Sequence, residues 1–318
     1  MNLIDSYFEN CNVVALDIET TGLDPNKDSI ILVGILQIGD NTGFTQFFCE
    51  NLYEEELLLG FLISALASAD LIITYNGASF DIPFINKRFK KFGFDYYIPS
   101  HMNFDLYKIF RGSYLKSLLP NMKQKTMEAF LGIHDFRTDK ISGYESVQKY
   151  FDYLATRITI LREEILLHNR DDITQLEQLL LLLRKIDLHK SMFNNGFPIV
   201  YGNRKIYLER IRLKTGTLLL KGYYYGFSKE AHHFFNGFNL VISKNENTLS
   251  VEMPLYNVDG HSYIDLNEFN LTKSTLDDLM KYPGFINGYL LLSSHGAIKY
   301  NEINKIAKII CKDILINI

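Results

Sequence analysis

The chain has 318 residues, 47% hydrophobic and 22% charged, with a net charge of −4. That is an ordinary globular composition with room for one large domain or two smaller ones, and its net acidity argues against a bulk electrostatic binder of nucleic acid. No apolar run reaches the roughly 18 residues of a membrane span, and the richest, "LEQLLLLLRKI", meets Arg184 and Lys185 at its end.

The opening "MNLIDSYFEN" lacks a basic region followed by an apolar stretch, so no signal peptide is expected. Residues 12–19, 28–39 and 43–50 read as three strands, the last two joined by a turn at "GDNTG". Residues 54–69 have helical spacing, and 70–77 form another buried strand that ends in Gly77. Residues 81–93 are an amphipathic helix with Pro83 near its start, a favoured place for proline. A short strand and helix are expected over 101–110, helices over 125–133 and 143–157, and a long helix over 159–186.

The pattern changes at "NNGFP", which places a boundary at about 188–198. Beyond it, residues 205–227, 237–257 and 260–266 alternate as strands do, with helices expected over 272–283 and 301–315. Charge changes sign there too. Residues 1–186 hold 18 basic and 25 acidic side chains, a net of −7; residues 187–318 hold 15 and 12, a net of +3. An acidic half can hold metal, and a mildly basic one can help hold a polyanion. The three cysteines, Cys11, Cys49 and Cys311, have no zinc-type spacing and are expected to be inert thiols in a reducing cytoplasm.

The chemistry-bearing residues lie in the first half. The strand "VVALDIETTG" ends with Asp17 and Glu19 two apart, hence on one face, at the strand's C-terminal edge. A divalent cation would explain the pair, since carboxylate oxygens suit Mg²⁺ or Mn²⁺; two solvated loop acids are the plain alternative. In "ITYNGASFDIPFI", Asp81 again follows a strand and opens a helix, where alone it reads as a cap. In "LHNRDDITQL", His168 and Asp172 are four apart on one helical face, where alone each reads as an ordinary helix residue.

Taken in order, "DIETTG", "NGASFD" and "HNRDD" resemble the three motifs of the DEDD (DnaQ-like) 3′–5′ exonucleases of the RNase H-like fold. More narrowly, the chain is similar to the YprB-type ribonuclease H-like family, which also carries "YNG.SFD.P", a later "L..LG" as in "KTMEAFLGI", and a D…G…Y segment as in "DKISGYESVQKYFDYL". The resemblance spans about residues 12–185. It implies an α/β domain over 1–190, a mixed sheet flanked by helices; it does not reach the region beyond, where the strand-like alternation itself predicts a smaller β-rich α+β domain of unassigned role over 197–318. The resemblance further implies that Asp17, Glu19, Asp81 and Asp172 hold two divalent ions, Mg²⁺ or Mn²⁺, and that His168 is the general base. Three residues separate His168 from Asp172, one fewer than histidine-type members place there, and the HN..D register selects Asp172 over Asp171. The implied reaction is two-metal hydrolysis of single-stranded DNA or RNA from a 3′ end. The resemblance also implies that Thr20, Thr21, Gly22 and Leu23 lie against the terminal nucleotide, an ordinary strand-end turn being the alternative, with Asn76 and Phe80 shaping the site or only the turn and core.

Two other stretches mix basic and aromatic residues. Residues 86–94, "NKRFKKFGF", are expected to turn Phe inward and Lys to solvent, the alternative being a path for a phosphate backbone. In residues 220–235 at least one of Tyr223, Tyr224 and Tyr225 is expected in the core, the alternative being a stacking surface; His232 and His233 should diverge too far to pair on a metal. Two other functions stay in view. One is a catalytically silent nucleic-acid-binding or assembly module, the other a nuclease that cuts by structure or internally. Neither the choice of DNA or RNA nor a membrane role is written in these motifs.

Overall fold

The computed structural model describes residues 6–39, 43–226, 230–235 and 237–317. They form two compact units, one over Cys11–Ile186 and one that joins Met1–Asn10 to Asp187–Ile318.

The first unit runs β1 (Val13–Thr20), β2 (Ile30–Ile38), β3 (Phe44–Phe48), α1 (Glu55–Leu66), β4 (Leu71–Thr74), α2 (Asp81–Lys91), β5 (Asn103–Asp105), α3 (Leu106–Arg111), α4 (Leu115–Leu118), α5 (Gln124–Leu131), α6 (Gly143–Thr156) and α7 (Thr159–Leu179). Its sheet has the order β3-β2-β1-β4-β5. The first three strands pair antiparallel, and β4 and β5 add in parallel beside β1, so the sheet is mixed. Residues 40–42, within the expected turn at 39–43, lie outside the described residues, but Gln37 N–H bonds to the Gly43 carbonyl at 2.9 Å where the hairpin resumes.

Strand alternation divides the core in two. Val14, Leu16 and Ile18 of β1 pack with Leu58, Leu62 and Leu66 of α1 and with Ile82, Ile85 and Phe89 of α2. On the other face, Ile31 and Leu32 of β2 meet Tyr150 and Tyr153 of α6 and Ile165 of α7. The sheet is thus covered on both faces, and Asp17 and Glu19 point to the side of α6 and α7. α6 begins at a capping box in which Ser142 and Glu145 satisfy each other's backbone N–H groups. The long helix expected over 159–186 stays α-helical only to Leu179; Leu180–Lys185 tighten into a 3₁₀ segment.

The second unit runs α8 (Leu188–Asn195), β6 (Phe197–Tyr201), β7 (Arg204–Lys214), β8 (Thr217–Tyr225), β9 (Ala231–Phe235), β10 (Phe238–Ser243), β11 (Thr248–Pro254), β12 (Tyr256–Val258), β13 (His261–Asp265), α9 (Lys273–Leu279), β14 (Phe285–Ile286), β15 (Tyr289–Ser294), β16 (Ala297–Ile298) and α10 (Tyr300–Asn317). Two antiparallel sheets result, one in the order β6-β7-β8-β11-β10-β9, the other β12-β13-β15-β14 with β16 on β15. β14 to β16 were not expected from the sequence, although Leu290 and Leu292 of β15 are fully buried at the alternating spacing of a strand.

The expected domain span of 1–190 needs correcting at its start. Tyr7 packs edge-on against Phe197 at 5.1 Å between ring centroids, its hydroxyl lies 2.6 Å from His189 Nδ1, and Lys308 Nζ sits 3.6 Å over its ring. These contacts tie the first described residues to α8, β6 and α10 rather than to the mixed sheet. Among the described residues no helix is long and apolar enough to cross a membrane.

Candidate active site

The site grows from the C-terminal end of β1. Asp17 pairs with Gly34 of β2 across the ladder. A Cβ on Gly34 would lie 2.2 Å from both Asn169 Oδ1 and Ile173 Cδ1. Only glycine lets α7 come this close to the sheet, and the approach brings Asn169 onto Asp17, with Nδ2 donating to Oδ2 at 2.8 Å. Gln46 of β3 donates to Asn169 Oδ1 at 2.7 Å and so holds the amide in that orientation.

The second motif is built by a turn. Asn76 adopts a left-handed φ of 66°, as asparagine tolerates. A Cβ on the following Gly77 would meet Thr74 Oγ1 at 2.4 Å, so the chain can fold back only there. Asp105 accepts from the N–H groups of Asn76 and Ala78 at 2.8 and 3.1 Å and also caps α3. This turn delivers Asp81, buried, as the first residue of α2.

The third motif brings a network. Nδ1 of His168 lies 2.7 Å from Asp139 Oδ2, and Nε2 faces Glu19 Oε1 at 3.8 Å and Asp172 Oδ2 at 3.6 Å. With Nδ1–H donating to Asp139, Nε2 is left as the acceptor on the acidic side. Arg137 grips Glu128 through Nε and Nη2 at 2.6 and 2.8 Å, reaches Asp139 through Nη1 at 3.0 Å, and pairs with Asp172 Oδ1. Asp171 is turned away: its Oδ2 accepts from the N–H groups of Thr138 and Asp139 at 2.6 and 2.7 Å, fixing the loop that carries Arg137 and Asp139.

Asp17, Glu19 and Asp81 line one cleft of about 620 Å³ together with Thr20, Thr21, Gly22, Leu23, Asn76 and Phe80. Tyr75, Gly143, Tyr144 and Val147 complete it. Leu23, 82% exposed, and Tyr144, 74% exposed, both line it with apolar surface turned to solvent. Asp172 and His168 adjoin this cleft through Glu19.

The electrostatics show a deficit of positive charge. Burial, followed by the charges of Asp172, Asp81 and Glu19, holds the Asp17 carboxyl well above the usual carboxylate range. Burial also raises Glu19 to about 7, against the opposing pull of His168, and raises Asp81 to about 7, against hydrogen bonds from the backbone at Asp81 and Ile18. Asp139 behaves oppositely: burial pushes it up, but the hydrogen bonds from His168 and Arg137 outweigh burial and leave it lowered. Ligand atoms of Glu19, His168 and Asp172 all lie within 4.8 Å of one another. An oxygen-rich donor set whose members repel one another suits a hard divalent cation.

Sequence reasoning passed over Arg137, Asp139, Asn169, Tyr75 and Tyr144. Asp139, Tyr144 and Asn169 lie within segments already singled out, "DKISGYESV" and "HNRDD", but nothing local marks what they touch. Arg137 lies 35 positions from Asp172 and has no motif of its own. Outside the cleft, Phe89 is core and Arg88 is buried on Glu55, so in residues 86–94 the Phe side does turn inward, and Arg88 is withdrawn from any phosphate path.

A mixed five-stranded sheet covered by helices, with buried acids at the end of its central strand, defines an RNase H-like domain. The profile of the RNase_H superfamily matches residues 14–184, more than half of the chain, and the chain belongs to that superfamily. It is 32% identical over 119 residues to a PolC-type DNA polymerase III of Ureaplasma parvum, covering 30% of this chain and 8% of that protein. It is 34% identical over 119 residues to the PolC-type DNA polymerase III of Thermotoga petrophila, covering 30% and 9%. The matched region thus spans less than a tenth of either relative. Among solved structures, E. coli exonuclease I in complex with an oligonucleotide is similar at a TM-score of 0.40 and 13% identity, over 66% of this chain and 54% of that one.

Proposed function

We propose that the chain is a divalent-metal-dependent 3′–5′ exonuclease of single-stranded DNA or RNA, of the YprB type within the DEDD exonucleases. The observation that carries the reading is the convergence of Asp17, Glu19 and Asp81 on one cleft, beside Asp172 and a His168 oriented by Asp139. Asp17, Glu19, Asp81 and Asp172 would hold two ions, Mg²⁺ or Mn²⁺. Bound there, they supply Lewis acidity toward the scissile phosphate and the attacking water.

The protein's own part follows from the geometry. His168 Nε2 takes the proton of the attacking water, and Asp139 holds Nδ1 so that Nε2 keeps its lone pair toward the acids. Asn169 fixes the rotamer of Asp17. Leu23, Phe80 and Tyr144 flank the cleft as apolar surfaces for the terminal base, and the Thr20–Leu23 turn offers backbone groups to the last nucleotide. A second reading, a silent binding module, draws on one observation, the hold of Arg137 on Asp172.

Degradation of 5′-labelled single-stranded DNA and RNA with Mn²⁺ separates the two. A ladder that shortens from the 3′ end, absent in Asp17→Ala/Glu19→Ala, is the expected result. A folded, metal-binding protein that cleaves neither would overturn the exonuclease.

A further inference from the structure

The six-stranded sheet of the second unit has two unlike faces. One row of cross-strand partners, Ile211, Leu220, Val251 and Leu240, is buried. The adjacent row, one residue along each strand, reads Arg210, Lys221, Ser250, Val241 and His232 across five strands. At about 4.8 Å per strand it spans roughly 19 Å. Arg212 and Lys214 continue the same face of β7, and both are exposed, as are Arg210 and Lys221. Tyr223, half-buried, lies on this face beside Thr248, and Phe234, 85% exposed, lies on it opposite Asn239. Glu252 is the acid on this face, opposite Leu219, and Glu209 sits in the bulge that precedes Arg210.

Three features set this face apart from ordinary solvated surface. Arg210 and Lys221 are direct cross-strand partners, and like charges directly opposite destabilise a ladder. Among the described residues, Arg210, Arg212, Lys214 and Lys221 have no acidic ion-pair partner within 4.0 Å. A β-bulge between Leu208 and Arg210 re-aims the strand at the point where the basic run begins. A fold that places repelling cations together next to the half-buried Tyr223, with the exposed ring of Phe234 on the edge strand of the same face, is shaped for a flexible polyanion with flat bases.

We propose that this outward face is a binding surface for single-stranded nucleic acid, with Arg210, Arg212, Lys214 and Lys221 on phosphates and Tyr223 and Phe234 against bases. The choice of nucleic acid among polyanions rests on the exonuclease reading of the first unit. The face assigns a substrate-holding role to the β-rich domain.

The test is fluorescence anisotropy of a labelled 20-nucleotide oligothymidylate with the full chain in EDTA, at two salt concentrations. Lys221→Glu creates an opposite-charge pair with Arg210. It should raise Tm by about 1–2 °C while weakening affinity about tenfold and making its salt dependence shallower. Phe234→Ala, at an exposed position, should weaken binding at least about fivefold with the salt slope unchanged. Wild-type affinity in Lys221→Glu overturns the proposal. So does heparin binding as tight as the oligonucleotide's together with no effect of Phe234→Ala, which would make the face a generic polyanion or acidic-protein site. Hydrolysis is read separately with Mn²⁺. A chain that binds through this face yet cleaves nothing overturns only the exonuclease, and one that cleaves while Lys221→Glu binds as wild type overturns only the face.

Discussion

Two buried polar clusters lie within the first unit, and they are built on opposite principles. Around Arg88, charge is matched. Its guanidinium holds Glu55 through Nε at 2.7 Å and Nη2 at 2.5 Å, Glu55 also accepts from Ile30 N–H at 2.9 Å, and Arg88 donates to the Pro25 carbonyl at 3.1 Å. At the end of β1, charge is unmatched: burial and mutual repulsion hold Asp17, Glu19 and Asp81 above their ordinary range. The buried guanidinium of Arg137 at that site already serves Glu128, Asp139 and Asp172. A matched cluster is complete as folded and serves stability. An unmatched one is complete only when something positive arrives, which is the mark of a site.

The contrast can be broken from either side. The largest effect is expected at Asp17→Asn, which should lower hydrolysis by at least about 10³-fold while leaving the metal-free protein as stable as wild type or more so. Single-turnover kinetics beside melting in EDTA would show it, and a variant that keeps its activity would remove Asp17 from the chemistry. Next comes Arg88→Met, which strands Glu55 in the core and should lower the unfolding free energy by about 3–5 kcal/mol in urea titrations, much of it regained in Arg88→Met/Glu55→Leu. Asp139→Asn should lower kcat roughly 10²-fold with KM little changed, because His168 loses the carboxylate that sets its tautomer; an equal change in metal affinity would make Asp139 a support of the ligands instead.

The smallest effect is on pH. Glu19 and Asp81 have folded values near 7 against unfolded values of 4.5 and 3.8. Between those limits the folded state binds more protons than the unfolded one, so these two groups should make metal-free stability fall as pH rises from about 4 to about 7. Glu19→Gln should make that slope shallower. A metal-free protein whose stability rises over this window would contradict the shifted carboxyls.

The parts legible in the sequence were those that local pattern encodes. The alternation of β1 placed Asp17 and Glu19 on one face, and the four-residue step put His168 and Asp172 together on α7. What escaped depends on chain segments that meet only in three dimensions. Asp139 serves His168 across 29 positions, Arg137 serves Asp172 across 35, and Gln46 orients Asn169 across 123. The association of Tyr7 with Phe197 and Asn304 is longer still, and a reading by position alone placed it in the wrong domain. The sequence selects Asp172 over Asp171 by the HN..D register alone, and it does not show that Asp171 Oδ2 accepts from the N–H groups of Thr138 and Asp139.

We propose that a divalent cation neutralises the acids at the end of β1. Calorimetric titration of Mn²⁺ into the full chain, with Tm followed in parallel, tests it most directly. Saturable binding and a raised Tm are expected in wild type, both abolished in Asp17→Asn/Glu19→Gln. A folded wild-type protein that binds neither Mn²⁺ nor Mg²⁺ would contradict it.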